Sequence, residues 1–261
     1  MDTLATALTF DRSLRVRGAE RTIALAHGVV ILHDGLRPVH HLNSVVLDAP
    51  VARGLDAEVV VALADRWLGH LRHRHVVLDD AAAAERVAPK LARKGWSVQR
   101  TVFMALHAQA DRPARTGVAR EVDLATLRAL ELRLNEDEPP LGAGPGFAER
   151  LVQGMDALRE GTRNRCFAAG ENGDLAAACT LFLERESGGI ALLDNVGTLR
   201  AQRGRGLARA VVTAAIDAAD AEGCHPIVIP ADIDDWPKEL YRRMGFTPLG
   251  VQISFTLARV G

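Results

Sequence analysis

Apolar and polar residues follow two rhythms along this chain, and the rhythms change in a similar order twice. RTIALA (21–26), GVVIL (28–32) and LNSVVLDA (42–49) are short apolar runs rich in β-branched residues, which predict strands, with His27-Gly28 joining the first two as a hairpin. GLDAEVVVALADRWLGHL (54–71) places its apolar residues at helical spacing. HVVLD (75–79) has the length of a buried strand. AAAAERVAPKLARKG (81–95) predicts a helix with a kink or restart at Pro89 and a glycine stop, and WSVQRTVFMAL (96–106) a long strand.

A polar stretch carrying Pro113 and Gly117, AQADRPARTGVAR (108–120), reads as a linker. Beyond it the pattern predicts helices at 122–134 and 147–161, separated by the acidic, proline- and glycine-rich NEDEPPLGAGPG (135–146). Strands follow at 165–170, 175–185 and 189–199, with Asn172-Gly173 as a tight-turn signal. Then come a long helix (206–222), a strand (225–230), a short helix (237–245) and a final strand (246–258). ARKGWSVQRTVFMAL (92–106) can be set beside YRRMGFTPLGVQISFTL (241–257), so the order strand, long helix, short strand, helix, long strand closes both parts. We read a diverged internal duplication: an α/β protein with tandem parts at 1–110 and 118–261.

The 261 residues suffice for such a pair, and 48% are apolar, as in ordinary globular chains. A formal net charge of −1 offers no basic field for nucleic acid or an anionic membrane. Three cysteines, Cys166, Cys179 and Cys224, without CxxC spacing argue against a disulfide framework or zinc finger. The N-terminus lacks the pattern of a signal peptide, and no run has the length of a membrane span. A cytoplasmic protein without a metal is expected.

The most informative stretch is Arg203-Gly204-Arg205-Gly206-Leu207-Ala208, between a strand end and a strong helix. The first amides of a helix have no intrahelical acceptor, and the helix dipole adds positive potential there. Glycines let a ligand reach the main chain, and Arg203, Arg205 and Arg209 add fixed charge, so the turn reads as an anion cradle. The alternative is an ordinary helix start with solvated arginines. There is no GxxxxGK[ST] and no GxGxxG with a following acidic residue, which disfavours the usual nucleotide loops.

Residues 118–258 resemble the GNAT superfamily of acetyl-CoA-dependent N-acetyltransferases through the VGT strand end (196–198), RGRGLA (203–208) with its following helix, IVIP (227–230) and LYRRMGF (240–246). The resemblance implies a tandem GNAT-like fold, with a mixed, mostly antiparallel twisted sheet flanked by helices. It implies that the amides of 204–208 hold the pyrophosphate of acetyl-CoA, where Arg203, Arg205 and Arg209 offer their charge. Main-chain groups of Val196, Gly197 and Thr198 would pair with the pantetheine arm. Tyr241 would protonate the departing thiolate, although a plain packing role is also open to it. Asp194 is the candidate base, but Asp194-Asn195 replaces the Glu-Asp of relatives, and a structural role for Asp194 stands level with it. Strand alternation would place Asp194 and Asn195 on opposite faces. Gly197 offers an oxyanion-binding amide or a bulge that opens the sheet.

Asp234 is read as an N-cap of the helix starting near Trp236-Pro237. The loop acids Glu136, Asp137 and Glu138 would face a cationic acceptor, or are simply solvated. The first part reads VARGLD (51–56) where the cradle would fall and LARKGW (91–96) where the tyrosine would be. It is therefore expected to be a degenerate half without a donor site, and with few residues ahead of its first strand for opening helices. His70, His73 and His75, with Arg72 and Arg74, are read as a cationic helix end rather than a metal site. The expected activity is direct acetyl transfer in a ternary complex to a primary amine, a small molecule or a protein lysine. A non-catalytic acyl-CoA sensor is the alternative, and a homodimer stays open.

Overall fold

A helix precedes the first expected strand, in a stretch that was expected to hold few residues for opening helices. In a computed structural model, which describes residues 2–48, 50, 54–139, 144–185 and 189–258, α1 spans Thr3–Arg17. Asp2 caps it by accepting from the Leu4 amide, and Ala7, Leu8, Phe10 and Leu14 form its buried face. The rest of the first part is β1 (Arg21–Leu25), β2 (Gly28–Leu32), β3 (Ser44–Leu47), α2 (Ala57–Leu68), β4 (His73–Leu78), α3 (Ala81–Arg93) and β5 (Ser97–Leu106). Helix α3 runs unbroken through Pro89, because the buried face of Ala84, Val87, Ala88 and Leu91 continues past it.

The second part begins with β6 (Ala119–Glu121), a short edge strand within what reads as linker. It continues with α4 (Leu124–Asp137), α5 (Phe147–Arg159), β7 (Arg163–Glu171), β8 (Asp174–Glu184), β9 (Ile190–Thr198), α6 (Leu207–Ala221), β10 (Ile227–Asp232), α7 (Pro237–Arg243) and β11 (Phe246–Ala258). Asn172 and Gly173, both at positive φ, make the tight β7–β8 turn.

The eleven strands of the described residues form one sheet in the order β1-β2-β3-β4-β11-β5-β10-β9-β8-β7-β6. The β3–β4 and β9–β10 pairs are parallel, and the other neighbouring pairs are antiparallel. The succession β-β-β-α-β-α-β occurs in both parts, from β1 to β5 and from β7 to β11. The last strands are exchanged between the parts. β5 pairs with β10, β11 pairs with β4, and β5 and β11 pair with each other at the centre.

The cores follow the exchange. Ile253 and Phe255 of β11 pack among residues of α2 and α3, while Val102 and Met104 of β5 pack in the cluster under α6. Helix α1 lies over the centre of the sheet, where Leu8, Phe10 and Leu14 meet Phe103, Phe182, Leu192 and Val228. Burying such a side chain contributes about 1.5–3 kcal/mol, so the first part is joined to the sheet that carries the cradle.

Candidate active site

The site begins where two parallel strands part. β9 and β10 pair at Ala191↔Ile227 and Leu192↔Val228, and no further pair is formed toward their C-terminal ends. The corresponding β3 and β4 stay paired from Val45↔Val76 to Leu47↔Leu78, and the Asp79 amide adds a bond to Leu47 O at 3.0 Å. The register explains the difference. Ala178 faces Gly197 and Thr180 faces Asp194, so Asn195 and Val196 together oppose Cys179 as a β-bulge. Asn195 takes φ 53, and such a bulge bends its strand and increases its twist.

The bulge corrects two expectations. It sits at Asn195-Val196 rather than at Gly197. Gly197 instead makes room for α4, since a Cβ there would lie 3.1 Å from Leu134 Cδ1. The bulge also breaks the alternation of side chains. Thr180, opposite Asp194, bonds Arg159 of α5, and Asn195 donates to Glu131 of α4 at 2.6 Å, so both positions belong to the α4–α5 side of the sheet.

β9, α4, α7 and the residues just before α7 line a cavity of about 420 Å³, with Asn195, Val196, Gly197 and Thr198 on β9 and Leu240 and Tyr241 on α7. Tyr241 is 4% exposed, its ring lies 6.2 Å from that of Phe246, and no hydrogen bond from a described residue reaches its hydroxyl. Burial, and secondarily the nearby Cys179, Asp194 and Asp235, push its pKa well above the ordinary phenol value. The phenol therefore keeps its proton throughout the physiological range.

An adjoining pocket of about 250 Å³ lies over the start of α6, with Thr198, Arg203, Ala208, Trp236 and Leu240 lining both spaces. Gly204 and Gly206 take φ 78 and 79, and Gly206 provides no side-chain cap. The amides of residues 204–209 find no acceptor among the described residues. Three further donors here are buried without a hydrogen-bond partner, Thr198 Oγ1 and Arg209 Nε and Nη2, the last of them ion-paired with Asp111. Arg209, 4% exposed, is held by Asp111 at 2.8 Å and by the carbonyl of Arg112 at 3.2 Å. A helix start with unpaired amides, buried donors and an adjoining cleft is suited to an elongated ligand with an anionic end.

The other expected residues divide. Val196, Gly197, Thr198, Arg203, Gly204, Gly206, Leu207, Ala208 and Arg209 line one or both spaces. Arg205 lines neither and pairs with Glu171 at 3.3 Å. Asp194 is not among the lining residues. Its carboxylate accepts from the Asn195 amide at 2.7 Å, and burial, followed by the charge of Asp11, raises its pKa.

Four carboxylates among the described residues line the cleft, Glu131, Asp137, Glu138 and Asp235, and the one bonded to Asn195 is Glu131, which no sequence motif marks. It is 1% exposed and bound by both terminal nitrogens of Arg159, which also donates to Thr180 Oγ1 at 2.7 Å. Two loop acids are engaged by the segment after β9: Asp137 accepts the Arg200 amide at 2.5 Å, and Glu138 pairs with Arg200 and Arg203. Asp234 is not the α7 cap. Trp236 holds that place without a side-chain cap, and Asp234 instead donates its amide to Asp232 at 2.8 Å.

In the first part, residues 51–53 of the VARGLD segment lie outside the described residues. Helix α2 is nonetheless closed, because Asp56 accepts from the Val59 amide at 3.0 Å. His73, Arg74 and His75 form the start of β4 rather than a solvated helix end. Arg74 is buried and bonds Asp65 together with the carbonyls of Gly69 and Leu71 at the end of α2. Among the described residues no group of three or more His, Cys, Asp or Glu could hold a metal ion, and no helix is long and apolar enough to cross a membrane.

Residues 130–246, from within α4 to the first residue of β11, match the model of the acetyltransferase (GNAT) family. Among solved structures the chain is similar to a GCN5-related N-acetyltransferase from Kribbella flavida, with 18% identity, TM-score 0.64, and coverage of 100% of this chain and 97% of that one. It is also similar to a functionally unknown conserved protein from Staphylococcus epidermidis, with 13% identity, TM-score 0.70, and coverage of 92% and 94%. A GCN5-related N-acetyltransferase from Sphaerobacter thermophilus shares 17% identity at TM-score 0.56 over 92% of this chain and 83% of that one. No curated relative matches the sequence. These structures share the fold of this chain. The family match covers residues 130–246, so the second part is similar to GNAT acetyltransferases, and the solved structures extend the likeness of fold over the whole chain.

Proposed function

We propose that this enzyme transfers an acetyl group from acetyl-CoA directly to a primary amine in a ternary complex. The observation that carries this reading is the continuity of the pocket at the uncapped start of α6 with the cleft holding Tyr241. The residues fit the donor. The amides of 204–209 and the orphaned Arg209 Nε suit a diphosphate, and a Cβ at Gly204 would meet no atom within 4 Å, so the approach is open. The donor supplies an activated thioester.

The chain's own residues account for binding and proton handling. The side of β9 that faces away from β8 has lost its strand partner beyond Leu192, so main-chain groups near Val196 can pair with an extended amide arm and orient a carbonyl. Tyr241 holds its proton in the cleft and can give it to a departing thiolate. Glu131, clamped by Arg159 and Asn195, fixes the bulge and is poorly suited as a base. Asp194, made more basic by burial, takes the amine proton through water in this reading. The three cysteines are buried, and none lines either space, so transfer needs no cysteine-bound acyl group. Free cysteines suit a reducing compartment, and we place the reaction in the cytoplasm.

Thiol release from acetyl-CoA across a panel of small amines and lysine peptides tests the reading. Amine-dependent release, with the acetylated amine found by mass spectrometry, is expected. Tight donor binding with no turnover on any acceptor would contradict it.

A further inference from the structure

The linker between the two parts does not hang free. The amides of His107 and Ala108 donate to Gly245 O, and that of Asp111 to Arg243 O at 2.8 Å, tying the segment to the end of α7. Further along, Asp111 and the Arg112 carbonyl hold Arg209, and Arg115 donates to Arg205 O at 3.1 Å. The segment thus crosses from α7 to the start of α6, and Arg112 and Arg243 both line the pocket over that start.

Charge pairing singles out these two side chains. Arg200, Arg203, Arg205, Arg209 and Arg242 all have carboxylate partners. Arg112 and Arg243 are exposed and have no hydrogen bond or ion pair from their guanidinium groups among the described residues. Two unpaired like charges at one rim repel each other, and an anion shared between them removes that repulsion while accepting charge-assisted hydrogen bonds. The unpaired α6 amides and Arg209 Nε already provide for a diphosphate, so the Arg112–Arg243 pair is in excess of that need.

Resting on the donor reading above, we infer that Arg112 of the linker and Arg243 of α7 form a separate clamp for a phosphomonoester on the donor, the 3′-phosphate of the nucleotide. The linker then belongs to the donor site, and the enzyme selects donors by their terminal nucleotide as well as by their diphosphate.

Calorimetric titration of CoA and 3′-dephospho-CoA into the full-length wild type, Arg112→Ala and Arg243→Ala tests this. The wild type is expected to prefer CoA by about tenfold or more, the usual weight of a hydrogen bond to a charged group. Each variant should lose most of that preference while keeping its affinity for 3′-dephospho-CoA. Equal binding of the two nucleotides by the wild type, or an equal loss of both in the variants, would overturn the clamp and leave the donor site standing. Failure of the wild type to bind either nucleotide would overturn the donor reading and the clamp together.

Discussion

Replacing Gly206 by aspartate places a carboxylate at the helix start that the donor is proposed to use. This chain already shows what aspartate does there: Asp56, Asp80 and Asp123 cap α2, α3 and α4 by accepting amides at 3.0, 2.9 and 2.7 Å. Gly206 sits at φ 79, so a side chain at this position carries left-handed strain of about 1–2 kcal/mol. Steric room is not the obstacle, because a Cβ would come no closer than 3.6 Å to Arg115. The charge is. A carboxylate roughly 5 Å from one phosphate charge, at an effective dielectric of about 20, is repelled by about 3 kcal/mol before salt screening.

Gly206→Asp should therefore weaken CoA binding by about 30- to 150-fold, corresponding to about 2–3 kcal/mol. Gly206→Asn carries the same backbone strain without the charge, and asparagine tolerates the left-handed region. It should lose less than about fivefold, a bound set by the tenfold equivalent of 1.4 kcal/mol. Calorimetry on both variants, with circular dichroism to verify folding, separates charge from strain. Equal affinities for wild type and Gly206→Asp would refute the assignment of the cradle.

Four other outcomes follow from the geometry. Tyr241→Phe should lower kcat by about 10²- to 10⁴-fold, the range for a general acid, with CoA affinity nearly unchanged; parallel losses in a kinetic and calorimetric comparison would argue for a packing role instead. Arg159→Ala leaves Glu131 buried without its cation and should cost about 3–5 kcal/mol in urea unfolding; a loss below about 1 kcal/mol would fit only a solvated pair. Burial raises the pKa of Asp79 to about 6, above its unfolded value, so its contribution to stability is present at low pH and is lost as pH rises through the folded pKa. Asp79→Asn should remove a decline of at most about 3 kcal/mol between roughly pH 4 and 6, and an unchanged stability profile in that window would count against it. Residues 112–261 expressed alone lack β5, which fills the place between β10 and β11, and should self-associate or fail to melt cooperatively; a stable monomer in gel filtration would contradict the role given to strand exchange.

Much of the fold was legible because strands and helices declare themselves by local period. The runs at 28–32, 190–198 and 246–258 and the glycine-arginine turn at 203–206 are local signals, and they became β2, β9, β11 and the start of α6. Helix α1 is legible too: Leu4, Ala7, Leu8 and Leu14 keep helical spacing behind the capping Asp2. The strand exchange was not legible. β5 and β11 carry similar alternation, and nothing local says which half each will join, since pairing is decided by the fit of whole faces.

The site shows the same division. The backbone at 203–206 follows from glycine and helix chemistry, so the uncapped start of α6 is legible in the sequence. The bulge at Asn195-Val196 depends on cross-strand register with Cys179 and on α4, where Glu131 takes the Asn195 amide, and no window along the strand contains that information. Glu131 and Arg159 lie 28 positions apart and meet only because α4 packs on α5. Arg112 likewise reaches the cradle only after the linker binds α7.

Hydrogen exchange of the backbone amides with and without CoA, read residue by residue, bears most directly on the central claim that the free amides at the start of α6 grip the donor and aim it into the split between β9 and β10. Binding should slow exchange at residues 204–209 and along Val196–Thr198, with little change at the Asp56-capped start of α2. Protection confined to other regions, or equal at the two helix starts, would contradict it.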